Sequence, residues 1–302
     1  MSDRHRPTRD ALHELFDQPP SATTPALLEL CAQQARRRRP AALMEQRRRD
    51  RFVEPSRLDL RRAHALDGLA LAAAADYEAL LLSPVAPLGS CSVVAPTAQD
   101  RTLSALRGTE VVSDPTNVLA IECAHRIKAG ARGPQRLCTI HQVLRAQPLP
   151  PGPGFSRHFR LLALADAGRG RAADGFEIEA VVRQLGVYDR LFDAAAALGC
   201  ALPERRFVVH ARTDTATLGD RVAAALAEVA PGAAVDRIEF DSSYYAGLRV
   251  LFGATARASG AFTPIVDIGR FDWVAALAAN HKLRYVASGC GLQLLTALFA
   301  EG

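Results

Sequence analysis

The chain has 302 residues, enough for two typical domains and a substantial core. Apolar residues make up 49% and charged residues 23%, which excludes a disordered or low-complexity chain. No run of about 18 uncharged apolar residues occurs, and the opening MSDRHRPTRD is charged throughout, so neither a membrane span nor a secretory leader is expected. The net charge of +5 lies in the first fifth. Residues 1–62 carry 14 arginines against 9 acids, whereas 63–302 carry 23 basic and 23 acidic residues. The six cysteines (Cys31, Cys91, Cys123, Cys138, Cys200, Cys290) stand singly, with no CxxC pair and no histidine at metal-ligand spacing. That pattern predicts a reduced, cytoplasmic protein with buried thiols.

Residues 1–56 read as a basic helical arm, with short helices over 8–16, 25–38 and 41–52, the last two stopped near Pro40 and Pro55. Its arginine runs, Arg36–Arg39 and Arg47–Arg49, wrap round a helix rather than lining one face. A solvated or subunit-contacting arm suits them better than an RNA-phosphate site, which stays open. A longer helix from 57 to 76 follows, then a strand over 79–82 ending at Pro84. Short strands are expected at Cys91–Ala95 and Glu110–Val112, and a helix after Asp114-Pro115. Two long strands, Arg136–Ala146 and Phe155–Ala165, flank the loop PLPPGPG, which is too rich in proline and glycine for regular structure. Residues 174–200 read as a helix, Phe207–His210 as a strand and Thr215–Ala230 as a helix. Strands over Tyr244–Phe252, Phe262–Val266 and Arg284–Ser288 then alternate with helices over Trp273–Asn280 and Leu292–Phe299. Hairpin-linked strands flanked by helices predict an α+β fold with a largely antiparallel sheet.

In this order the segments resemble class II aminoacyl-tRNA synthetases. The helix leading into DYEALLLSP resembles motif 1, which implies a homodimer interface. RLCTIHQVLRAQ and FSRHFRLLALADAG resemble the two strands of motif 2. VVSDPT looks like the substrate-amine loop of the histidine branch, SSYYAGLRVLF like its tyrosine-pair strand, IGRFD like its Gly-Gly-Arg-Tyr-Asp segment, and ASGCGLQLL lies where motif 3 belongs. The likeness covers residues 57–302 and is nearest to histidyl-tRNA synthetase and its paralogue, the regulatory subunit of ATP phosphoribosyltransferase. No stretch of about 80–100 residues remains for an anticodon-binding domain.

The resemblance assigns roles residue by residue. Arg145 matches the motif 2 arginine on the ATP α-phosphate and is the candidate catalytic group, where a guanidinium fork suits developing phosphate charge. Arg157 and Phe159 join it as candidate ATP-binding residues, Phe159 as the ring that stacks on adenine. Asp114 and Thr116 match the loop that holds a substrate ammonium, although Asp114 ahead of Pro115 is equally a helix N-cap. Leu161, Ala165, Tyr244 and Tyr245 complete the candidate substrate pocket. In a strand, Arg157, Phe159, Leu161, Ala163 and Ala165 share a face and would form its floor. His141 and His158 read as plain strand histidines.

Several positions depart from the pattern. Leu294 stands where motif 3 supplies an arginine, and Ala146-Gln147 replaces the x-Glu that follows the motif 2 arginine. Leu161 and Ala165 replace a glutamine and a glutamate of the histidine pocket, and Phe240 replaces a further arginine. These losses point away from histidine activation and toward a regulatory, ligand-sensing subunit that joins a catalytic protein partner. An adenylating ligase using ATP and Mg on a non-histidine, amine-bearing substrate is the alternative reading, and an RNA-binding module the third.

Overall fold

The computed structural model describes residues 14, 16–148, 156–256 and 259–300. The helix expected over 8–16 falls almost wholly outside them, as does most of the PLPPGPG loop. Proline opens each of the first two helices, α1 (Pro20–Arg36) and α2 (Pro40–Arg49), where a missing N–H costs nothing. Neither helix buries a residue. α1 starts at Pro20 rather than at 25 and carries Pro25 within it.

The core begins with α3 (Leu60–Ala73), capped by the Asp59 carboxylate, which accepts from the Arg61 and Arg62 amides. Ala63, Leu66, Ala70 and Ala73 recur at helical spacing and form its buried stripe. β1 (Glu78–Ala79) is shorter than the expected 79–82. Next, β2 (Val85–Pro87), β3 (Ser104–Ala105) and β4 (Thr109–Val111) build a small sheet in the order β2-β4-β3. Between β2 and β3, residues Ser90–Val94 form a π-helical turn instead of the expected strand. Gly89 enters it at φ +94°, and the buried Glu110 carboxylate accepts from the Gly89 and Cys91 amides at 2.9 and 2.8 Å. Those bonds hold the chain in a turn that no strand could follow.

After α4 (Pro115–Lys128) come the long strands β5 (Gln135–Leu144) and β6 (His158–Arg169), paired antiparallel from Gln135↔Ala167 to Leu144↔His158. Then follow α5 (Gly175–Ala195), β7 (Arg206–Ala211), α6 (Ala216–Val229) and β8 (Ala234–Glu239). The chain closes with β9 (Leu248–Ala256), β10 (Ala261–Phe271), α7 (Trp273–Leu277), β11 (Leu283–Gly291) and α8 (Leu292–Phe299). β8, where no strand is expected, runs parallel to β7. β9 starts at Leu248, so Tyr244 and Tyr245 precede it instead of lying on it.

Eight strands make one sheet, β1-β5-β6-β11-β10-β9-β7-β8. All neighbours are antiparallel except the two edge pairs, β1 with β5 and β7 with β8. The period of two sends Leu162 and Leu164 into a core with α3, α5 and α6. It sends Ala163, Ala165 and Ala167 into a second core with α4 and α7. The fold is thus α+β, a large and mostly antiparallel sheet between two helical layers. Several contacts tie the arm to this body. Phe52 lies under the Arg157 guanidinium, His158 Nε2 meets the Glu54 carbonyl at 2.6 Å, and Ser56 Oγ donates to Gln293 at 3.3 Å.

Candidate ligand-binding site

A cavity of about 520 Å³ gathers residues from distant parts of the chain, a volume in the usual range for a small-molecule site. Asp114 and Thr116 come from the start of α4, Arg145 from the end of β5, and Phe159 and Leu161 from β6. Tyr244 and Tyr245 come from the segment before β9. Seven of the nine residues singled out in the sequence therefore line one space.

Asp114 caps α4, and the capping geometry explains how it reaches the cavity. Its Oδ1 accepts from the Thr116 amide at 3.0 Å and from the Thr116 hydroxyl at 2.7 Å. That leaves Oδ2 toward Arg145, whose guanidinium stands 3.6 Å away. Arg145 Nε donates to the Ser113 carbonyl at 3.1 Å, and the guanidinium carbon sits 5.1 Å from the centre of the Phe159 ring. Burial pulls the Arg145 guanidinium below its ordinary range, against the opposing pull of Asp114. The candidate phosphate arginine and the candidate adenine ring thus lie together in the cavity wall.

Arg157 and Ala165 lie outside this cavity. Arg157 donates to the Ala146 and Gln147 carbonyls and stacks on Phe52, which ties the loop end and the arm together. Ala165 shares its strand face with Phe159 and Leu161, as the period of two requires, but α4 covers that end of the strand. It is fully buried in the core that also holds Leu119, Cys123 and Tyr285, so along this strand the cavity lining stops at Leu161. His141 is buried on β5, and His158 is held between Gln142 and Glu54.

Two charged residues in the wall go beyond those read from the sequence. Asp267 on β10 accepts from the Tyr245 hydroxyl at 2.8 Å and takes Arg249 through both carboxylate oxygens. An acid inside the apolar run Pro264–Phe271 was the available signal for it. Arg101 ends the short turn Gln99–Arg101 and carries no comparable sequence signal. Apolar side chains complete the lining. Leu161 lies against Gly289 and Leu294 against Gly291, where an added Cβ would meet them at 3.4 and 3.1 Å. Burial pushes the Tyr244 and Tyr245 phenols far above their ordinary range, so both rings stay neutral donors. Among the described residues no group of three or more His, Cys, Asp or Glu could hold a metal ion. None of their helices is long and apolar enough to cross a membrane.

A mostly antiparallel sheet between helical layers, with this cavity against one face, is the fold of the class II aminoacyl-tRNA synthetases, and comparison with solved structures places the chain there. An ATP phosphoribosyltransferase regulatory subunit/histidyl-tRNA synthetase from Bacillus halodurans superposes with a TM-score of 0.61 at 13% identity, covering 80% of each chain. Apo histidyl-tRNA synthetase of S. aureus gives a TM-score of 0.58 at 13% identity over 80% of this chain and 68% of that one. A histidine–tRNA ligase subunit from Alicyclobacillus acidocaldarius gives 0.58 at 15% identity over 81% and 94%. No protein-family model and no curated protein matches the chain by sequence.

Proposed function

We propose that the chain is a non-aminoacylating paralogue of the class II synthetases, a regulatory subunit that binds a small amine-bearing, amino-acid-like ligand. By likeness to the Bacillus halodurans regulatory subunit it would act on a separate catalytic protein, and by the resemblance of residues 57–84 to motif 1 it would do so as a homodimer. The observation that carries this reading is the pairing inside the cavity. Arg145 is engaged by Asp114, the Ser113 carbonyl and the Phe159 ring, and Leu294 fills the place of the second adenine-side cation. A charge-assisted contact of that kind contributes ~1.5–3 kcal/mol, so ATP would lose about one to two decades of affinity. The carboxylate that would receive an ammonium is in place.

An adenylating ligase acting with ATP and Mg is the second reading, favoured by the presence of Arg145 and Phe159 in one wall. Melting curves with each of the twenty amino acids and with ATP, followed by pyrophosphate exchange, separate the two. The regulatory reading expects an amino acid to raise the melting temperature, with no amino-acid-dependent exchange and no charging of histidine tRNA. Robust exchange with any amino acid would replace it with the ligase reading.

A further inference from the structure

We propose that Arg101 is the carboxylate receptor of this cavity, so that the ligand is a free α-amino acid held through both of its charges. The inference rests on the reading that the cavity takes an amine at Asp114. Three observations carry it.

The first is that Arg101 lines the cavity while its Nε is buried without a hydrogen-bond partner. Its guanidinium pairs with no carboxylate among the described residues. The neighbouring arginines are all committed, Arg145 to Asp114 and Ser113, Arg157 to two carbonyls, and Arg249 to Asp267. A partly buried cation without a counter-charge is costly, which makes its place here an anion site.

The second is that the backbone holds it rigidly in the wall. The Arg101 carbonyl accepts from Ala146 at 2.7 Å, and its amide donates to Ala98 at 3.1 Å. The next residue, Thr102, bonds the Val111 carbonyl through its hydroxyl at 2.7 Å. Arg101 is therefore fastened beside Arg145, and its charge is felt at both Arg145 and Tyr244.

The third is the charge count. Asp267 is matched by Arg249, which leaves Asp114 against both Arg145 and Arg101. That group is already net positive. A bare amine would add another positive charge, whereas an α-amino acid brings its own carboxylate to the two arginines and its ammonium to Asp114. The apolar wall of Leu161 and Leu294 then receives the side chain.

Calorimetric titration of the full chain tests this, using each of the twenty L-amino acids and, for any that binds, its decarboxylated amine (isoamylamine beside leucine, phenethylamine beside phenylalanine). The amino acid should bind at least about tenfold tighter than its amine. Arg101→Gln should abolish that preference while amine binding is retained or strengthened, since a positive charge leaves the cavity, and Arg101→Lys should restore part of it. Retained amine binding by R101Q also shows that the variant is folded. Equal affinity of amine and amino acid for the wild type would overturn the proposal and leave the amine reading intact. Loss of ATP or pyrophosphate binding in R101Q, with the amino acid unaffected, would assign Arg101 to phosphate and overturn it too. If no amino acid and no amine binds, both readings fall together.

Discussion

Asp114 divides its two carboxylate oxygens between the fold and the cavity, and substitutions can separate the two uses. Oδ1 caps α4, and Oδ2 faces Arg145. An asparagine oxygen still accepts the capping bonds, so Asp114→Asn should lower the urea midpoint only through the charge lost opposite Arg145. It removes the charge that an ammonium would meet, so binding of the amine-bearing ligand should weaken by more than about tenfold. Asp114→Ala removes the cap as well and should cost about 1 kcal/mol of stability besides. Equal loss of stability in both variants would show that the charge serves the fold alone. The same residue illustrates what the sequence could carry. A carboxylate before Pro115 is readable both as a cap and as a ligand group, and it is a cap whose second oxygen faces the cavity. Arg101 was out of reach for sequence reasoning, because only the pairing of every neighbouring arginine marks it. Ala165 lies on the strand face where the period of two puts it, yet nothing in the local pattern says that α4 covers that end.

At the scale of elements, the long central strands were legible because their apolar runs persist over ten residues or so. The failures fall where local pattern is weak. Ser90–Val94 has the composition of a strand, yet a carboxylate 20 residues onward, Glu110, turns it into a π-helical loop. β8 is an edge strand with mostly exposed residues, so it has no apolar alternation to read. The β9–β10 pair, by contrast, makes a sharp demand on sequence. A Cβ on Gly253 would lie 2.1 Å from the Thr263 carbonyl oxygen and 2.7 Å from Pro264 Cα, both backbone atoms, next to the irregularity between Pro264 and Val266. Backbone cannot swing aside as a flexible side chain does. Gly253→Ala should therefore destabilise the fold by about 2 kcal/mol or more in urea denaturation. An alanine variant as stable as the wild type would mean that the two strands separate more readily than this pairing implies.

At the scale of the whole molecule, exposed large apolar side chains occur along the arm, Leu27, Leu30, Leu43 and Met44 among them, and again in the body between Leu60 and Leu88. Leu60 and Leu71 of α3 lie eleven residues apart, three helical turns, and so share a face beside the buried stripe. Leu81 is 98% exposed directly after β1, and Val85 and Leu88 follow on and after β2. Hydrophobic side chains scattered singly need no explanation, but five exposed within one segment of about 30 residues are what an interface between copies would use. This is also the segment whose sequence resembles motif 1, the dimer-forming motif of the class. A second copy of the chain, related by a two-fold axis, would bury the same face on both protomers. Light scattering at micromolar concentration should accordingly give a dimer mass. Leu81→Glu places a charge in the middle of that surface without touching either core, so it should yield a folded monomer that still binds the cavity ligand. A wild-type monomer at that concentration would leave the α3 and β1 surface for a different partner. A dimer that survives L81E would put the interface elsewhere on the molecule.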